Sequence, residues 1–247
     1  MGVKQIINDV DASDLGIGYS AVVSDGLQYL NFYGGSVSAG KNLVGENGTV
    51  IGTPVAKGMG LGLACTQANK ISIQKTRGTK GTIIAVFNPN SAIRAYAVTD
   101  ASVARPIGLS VYAEPTATTG LFDLVAQLGY ANSAPSNQAV QITLANSMNV
   151  NVPNFVAVTF DASVSTSLAM TLKNLTKSTS STGSSATVAT HATGAVLNIG
   201  SLLDASVACS SNVLCVAYYD RVLTDIEIAK QYAQIKKYYK DVHNIDL

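Results

Sequence analysis

The chain has 247 residues, of which 47% are hydrophobic and 13% charged, with a formal net charge of +1. Its length fits one large domain and does not exclude two small ones. So even a charge leaves no basic face for nucleic acid, and no segment reaches the ~18 apolar residues of a membrane-spanning helix. With charged residues at about half their usual share, the surface falls to Ser, Thr, Asn, Gln and Gly, which suits assembly or exposure outside cells.

Residues 1–25 carry little hydrophobic period. Asp9, Asp11 and Asp14 make them acidic, and they are expected to form a peripheral arm or edge segment ahead of a single domain over 26–247. There is no apolar stretch of the secretory kind, and Ile6 stands where myristoylation wants Ser or Thr. Synthesis in the cytoplasm without an export address is expected.

Residues 26–32 alternate apolar with polar and read as a strand. The glycine-rich stretch 34–63 is loop and short strand; it lacks the G-x-x-x-x-G-K-[ST] pattern of a phosphate cradle. Short strands then recur at 69–74, 82–87, 92–99, 107–112, 121–127, 140–145, 152–160 and 168–172. Asn88-Pro89-Asn90 gives a strong turn signal after the second of these. The Ser/Thr-rich stretch 176–194 reads as an exposed, mobile loop with short strand content. A strand at 196–200 follows.

Residues 213–219 are a near-continuous apolar run with β-branched and aromatic members, expected as a strand buried on both faces. Asp220 and Arg221 turn the chain. Thr224-Asp225-Ile226-Glu227 then fits the capping box, in which the Thr224 hydroxyl and the Glu227 carboxylate each accept from the other residue's backbone N–H. Asp225 in the first turn and Lys236, Lys237 and Lys240 near the end complement the helix dipole. The spacing predicts a helix over 225–240. Many short strands separated by Gly, Pro and Asn, with one terminal helix, make the fold all-β: a two-sheet antiparallel sandwich of jelly-roll type.

Residues able to carry chemistry are sparse. A glycosidase needs two carboxyl groups roughly 5–9.5 Å apart, yet the only glutamates are Glu46, Glu114 and Glu227. None lies in an E-x-D-x-E phrase, and Glu227 is committed to the cap. Asp123, inside an apolar strand, reads as structural. His191 and His243 have no G-x-S-x-G partner for a Ser-His-Asp site. Asp100 and Asp204 could each give calcium one oxygen, but no D-x-[DN]-x-[DN] cluster accompanies them. No cofactor and no enzyme activity are expected, with calcium left open. Cys65, Cys209 and Cys215 read as free buried thiols, a Cys209–Cys215 hairpin disulfide being the alternative. Tyr96, Tyr112 and Tyr130 are candidate glycan platforms, although a strand tyrosine more often packs in the core with its hydroxyl at the edge.

Three phrases carry a resemblance. Tyr219, Arg221, Leu223, Thr224, Glu227 and Ile228, followed by Lys237, Tyr238 and Tyr239, match a "Y-x-R-x-L-[ST]-x-x-E-I … Y-Y" ending. Residues 42–54 match an "N-L-V-G-x-x-G-x-x-x-G-x-P" opening. Residues 155–161 resemble a "W-x-x-V-A-V-T-x-D" strand, with Phe155 in place of Trp. Together they resemble the laminin-G-like, concanavalin-A-like jelly rolls of phage and prophage tail proteins. The resemblance implies a non-catalytic virion component of a tail, fibre or head-surface appendage. Its partners would be other virion proteins and a host-surface glycan, and its expected state is a homo-oligomer, a trimer first. A carbohydrate-binding lectin module is the alternative, and a polysaccharide hydrolase the third reading.

Overall fold

The computed structural model describes residues 21–247 apart from 36, 59, 102–107, 132–136, 165, 187–195 and 205–206. In chain order the strands are β1 (Leu27–Phe32), β2 (Thr49–Ile51), β3 (Val55–Ala56), β4 (Leu63–Thr66), β5 (Lys70–Thr76), β6 (Lys80–Pro89), β7 (Ala95–Thr99) and β8 (Leu109–Pro115). Then come β9 (Leu121–Ala131), β10 (Asn137–Asn149), β11 (Asn154–Asp161), β12 (Leu168–Asn174), β13 (Thr179–Ser185), β14 (Val196–Ile199) and β15 (Ser210–Tyr219), closed by helix α1 (Asp225–His243). No helix among the described residues is long and apolar enough to cross a membrane.

The strands form two antiparallel sheets. One runs β13-β12-β11-β6-β15-β4-β3, and the other β10-β9-β8-β7-β14-β5-β2. Beyond β4, which pairs Ser210–Val213 of β15, β1 takes over the same edge and pairs Cys215–Tyr219. The sheets face each other across a core that includes Ile83, Phe87, Val111, Leu124, Val158 and Leu172. This is the sandwich expected from the strand pattern.

The first sheet is covered twice, which explains its apolar central strands. In β6, Ile83, Ala85 and Phe87 point between the sheets, while Ile84 and Val86 point outward beneath α1. In β15 a register shift between Val213 and Cys215 turns Leu214 and Cys215 outward together. Val216 and Tyr218 then return to the inner core. A strand buried on both faces has no polar alternation to show.

Helix α1 buries Ile228, Gln231, Ile235 and Tyr239, a stripe at helical spacing that seals this outer face. Burying each large apolar side chain is worth about 1.5–3 kcal/mol. The helix runs three residues past the expected 240, because Asn244 supplies the stop. Asn244 adopts φ 53°, its N–H reaches Lys240 O, and the Ile245 N–H reaches Tyr239 O. Under the same helix, the Val23 carbonyl accepts from Tyr219 Oη at 3.0 Å and Gln231 Nε2 at 3.1 Å, tying Ala21 and Val23 into the outer cluster. The rest of the acidic arm, residues 1–20, lies outside the described residues.

Two expectations need correction. The Ser/Thr-rich stretch, read as an exposed loop with short strand content, holds a seven-residue edge strand: β13 pairs with β12 from Thr179 to Ser185. The turn at Asn88-Pro89-Asn90 comes later than expected, since Asn88 and Pro89 still pair with Asn212 and Ser211. Proline is tolerated there because it lies beyond Phe87, where the β11 ladder on that side of β6 ends. His191 and Ile107 lie outside the described residues.

Candidate functional site

On the outer face of the second sheet, the pairing of β7 with β8 sets Tyr96 directly opposite Tyr112. Their ring centroids are 5.4 Å apart at 39°. Arg94 precedes β7 and Glu114 lies two residues past Tyr112, so strand alternation brings both to the same face. The Arg94 guanidinium sits 4.9 Å from the Tyr112 ring centre and 6.0 Å from that of Tyr96. It also donates to Tyr96 Oη at 3.2 Å and pairs with Glu114. Ala101, Val125, Leu202 and Cys209 pack with the two rings.

In this patch the rings are supports. Tyr96 and Tyr112 are 2% and 7% exposed, whereas the Arg94 and Glu114 side chains are 35% and 36% exposed. An approaching ligand meets a guanidinium fork and a carboxylate, and finds no open aromatic face to stack on. Burial raises the pKa of both phenols, so they stay protonated at neutral pH. Arg94 and Glu114 were not singled out as binding residues from the sequence. The signal was present in Arg94-Ala95-Tyr96 and Tyr112-Ala113-Glu114, each placing a charge two residues from a tyrosine. It becomes visible only once the register is known.

Tyr130 is elsewhere. It lies in β9 within the inner core, and its hydroxyl meets Ser185 Oγ of β13 at 2.9 Å, joining one sheet to the other. Thr224 and Glu227 stand at the start of α1. The Thr224 hydroxyl accepts from the Glu227 N–H at 3.3 Å, and the Glu227 carboxylate accepts from the Thr224 N–H at 2.8 Å. The same carboxylate receives two bonds from Arg221, at 2.6 and 3.1 Å. Arg221 and the Thr224 N–H hold Glu227 down at about 2.

The remaining groups with chemical potential are engaged structurally. Asp100 is buried against Arg77 Nε at 2.9 Å and also accepts from the Leu109 N–H. That commitment removes it as a readily available calcium ligand, and no cluster of three metal-ligating side chains occurs among the described residues. Asp123 accepts from the Asn146 N–H at 2.8 Å, at the irregularity where β10 shifts register. Lys70 is buried and donates to the carbonyls of Leu202 and Leu203. All three cysteines are free and buried. Burial pushes the Cys65 thiol up to about 12 and raises those of Cys209 and Cys215, which leaves them poor nucleophiles at neutral pH. A cleft of about 240 Å³ lies between the β12–β13 turn and the start of α1, lined by Ser178, Ile228 and the paired Lys173 and Asp225.

No protein family description and no curated protein sequence matches the chain. Solved structures do. The enzymatically active domain of bacteriophage CBA120 tailspike protein 2 superposes with a TM-score of 0.52 at 16% identity, over 76% of this chain and 30% of that one. The receptor-binding domain of botulinum neurotoxin type G superposes with 0.53 at 9% identity, over 87% of this chain and 52% of that one. For the botulinum neurotoxin C/D mosaic receptor-binding domain the values are 0.53, 10%, 85% and 52%. The chain thus spans about half of the neurotoxin domains and less of the tailspike domain. At these identities what is shared is the fold, a β-sandwich common to part of a phage tailspike and to toxin receptor-binding domains.

Proposed function

We propose that this chain is a non-catalytic structural component of a phage virion, a concanavalin-A-like, laminin-G-like sandwich in a tail, fibre or head-surface appendage. It is made in the host cytoplasm, assembles with other virion proteins and with copies of itself, and contacts the host surface. The observation that carries this reading is the sandwich shared with part of a phage tailspike. The tailspike part is enzymatically active, whereas the carboxylates considered in the present chain are committed structurally. Glu227 is in a cap, Asp100 and Glu114 are in ion pairs, and Asp123 braces a strand irregularity. None of these forms the facing pair, one acid and one base or nucleophile, that sugar-bond hydrolysis needs.

A second reading, a lectin module for a bacterial surface glycan, is favoured by the half-exposed Arg94–Glu114 pair on the outer side of the second sheet. A guanidinium fork beside a carboxylate can donate to and accept from vicinal hydroxyls or a sugar carboxylate. The test is an array of bacterial surface polysaccharides, read for bound protein and for released reducing ends in the same wells. Binding without release is expected, and Arg94→Ala or Glu114→Ala should weaken it at least tenfold with unchanged circular dichroism. Reducing-end release would overturn the non-catalytic reading, and undiminished binding by both variants would remove the patch as the site.

A further inference from the structure

We infer that the ribbon formed by residues 46–57 is the surface through which two copies of this chain join. The inference deepens the oligomeric reading above and rests on it.

The ribbon is placed where both sheets end. Strand β2 pairs with β5 at the edge of one sheet, and β3 pairs with β4 at the edge of the other. The turn between β4 and β5, closed by Thr66 and Asn69, carries the chain from one sheet to the other. The ribbon follows it around the corner. Gly52 bends at φ 68° against Ala68 and Asn69, and the Thr53 N–H donates to Asn69 Oδ1 at 2.8 Å. Strands β2 and β3 are thus the last strands of their two sheets, joined through Gly52.

These edge strands are apolar where edges are ordinarily guarded by charge or bulges. Every residue of β2 and β3 is exposed, with Val50 at 42%, Ile51 at 38% and Val55 at 56%, and Leu61 nearby at 57%. Exposed apolar side chains gathered on edge strands mark a contact surface. The occupant is identified by charge. Between Gly45 and Gly62 the sequence holds one acid, Glu46, and one base, Lys57. They stand equally far in sequence from the Ile51–Gly52 bond, and neither has an ion-pair partner within the chain among the described residues. A second copy laid antiparallel along the ribbon about that bond places Glu46 opposite the other copy's Lys57 at both ends. In the same register β2 lies opposite residues 52–54 of the other copy, and β3 opposite residues 47–48. The contact is isologous and self-complementary in charge, with a two-fold axis in place of the expected three-fold one.

The experiment is multi-angle light scattering of the full chain at tens of micromolar, with circular dichroism to confirm folding. The exposed positions allow substitution without disturbing the core. Wild type should contain the dimer, and Val50→Glu combined with Val55→Glu should reduce it to monomer. Glu46→Lys and Lys57→Glu should each weaken self-association about tenfold, and the two together should restore it. If the Val50→Glu/Val55→Glu protein keeps the mass of an assembled wild type, the ribbon inference is overturned while the oligomeric reading stands. A monomeric wild type overturns both. Failure of the double charge reversal to recover association overturns the pairing of Glu46 with Lys57.

Discussion

Glu227 concentrates the local chemistry of the helix start in one carboxylate: it accepts from the Thr224 N–H, from the Thr224 hydroxyl and twice from Arg221. Its folded pKa of about 2 lies below the ordinary 4.5. Stability from this group is therefore complete above pH 4.5 and is lost as pH falls toward 2. Urea unfolding of wild type and Glu227→Gln should show a gap at neutral pH that closes across that window; a gap of constant size would refute the linkage. Thr224→Ala should cost about 1 kcal/mol, the ordinary value of an N-cap. Deeper in the chain, Asp100→Ala should cost about 3–5 kcal/mol in the same assay, because it strands the Arg77 guanidinium in the interior. That guanidinium also lies 5.6 Å from the Phe160 ring centre. The capping box could be read from four adjacent residues because its rule is local. Arg77 with Asp100, and Arg94 with Glu114, could not be paired from the sequence, because their partners lie on different strands and meet only through register.

Among the elements, α1 and β15 were legible, and β13 only as short strand content within an expected loop. The helix announces itself by its cap and its spacing, and β15 by an apolar run too short for a lone helix. Strand β13, Thr-Ser-Ser-Thr-Gly-Ser-Ser, has no apolar alternation at all. The reason is steric: an added Cβ at Gly183 would lie 2.9 Å from Val140 and 3.1 Å from Ile142 of the facing sheet. The opposing β10 supplies the bulk, so β13 supplies only small residues and its period disappears from the sequence. Gly183→Val should therefore overpack this contact and lower the unfolding free energy by about 1–3 kcal/mol in urea denaturation. The same change at exposed Ser184, on the opposite face, should be nearly neutral. Equal effects at the two positions would show that β13 does not pack as described.

Across the whole molecule, the two sheets are finished differently. The outer face of the first is sealed by α1 and the segment around Val23, while that of the second carries the smaller cluster of Tyr96, Tyr112, Leu202 and Cys209, with Arg94 and Glu114 half-exposed beside it. Strand count and the terminal helix were enough to give a sandwich from the sequence. Strand order was not available, because it depends on long-range pairing such as β15 lying between β6 and the successive partners β4 and β1. A virion component, as proposed, would be built into the particle and present this scaffold from its surface. The most direct test is immunogold electron microscopy of purified phage particles from cells that express the chain. The account predicts gold at a fixed place on the particle surface, on the tail, a fibre or a head appendage. Particles without label, with the chain recovered only as free protein in the same lysate, would contradict it.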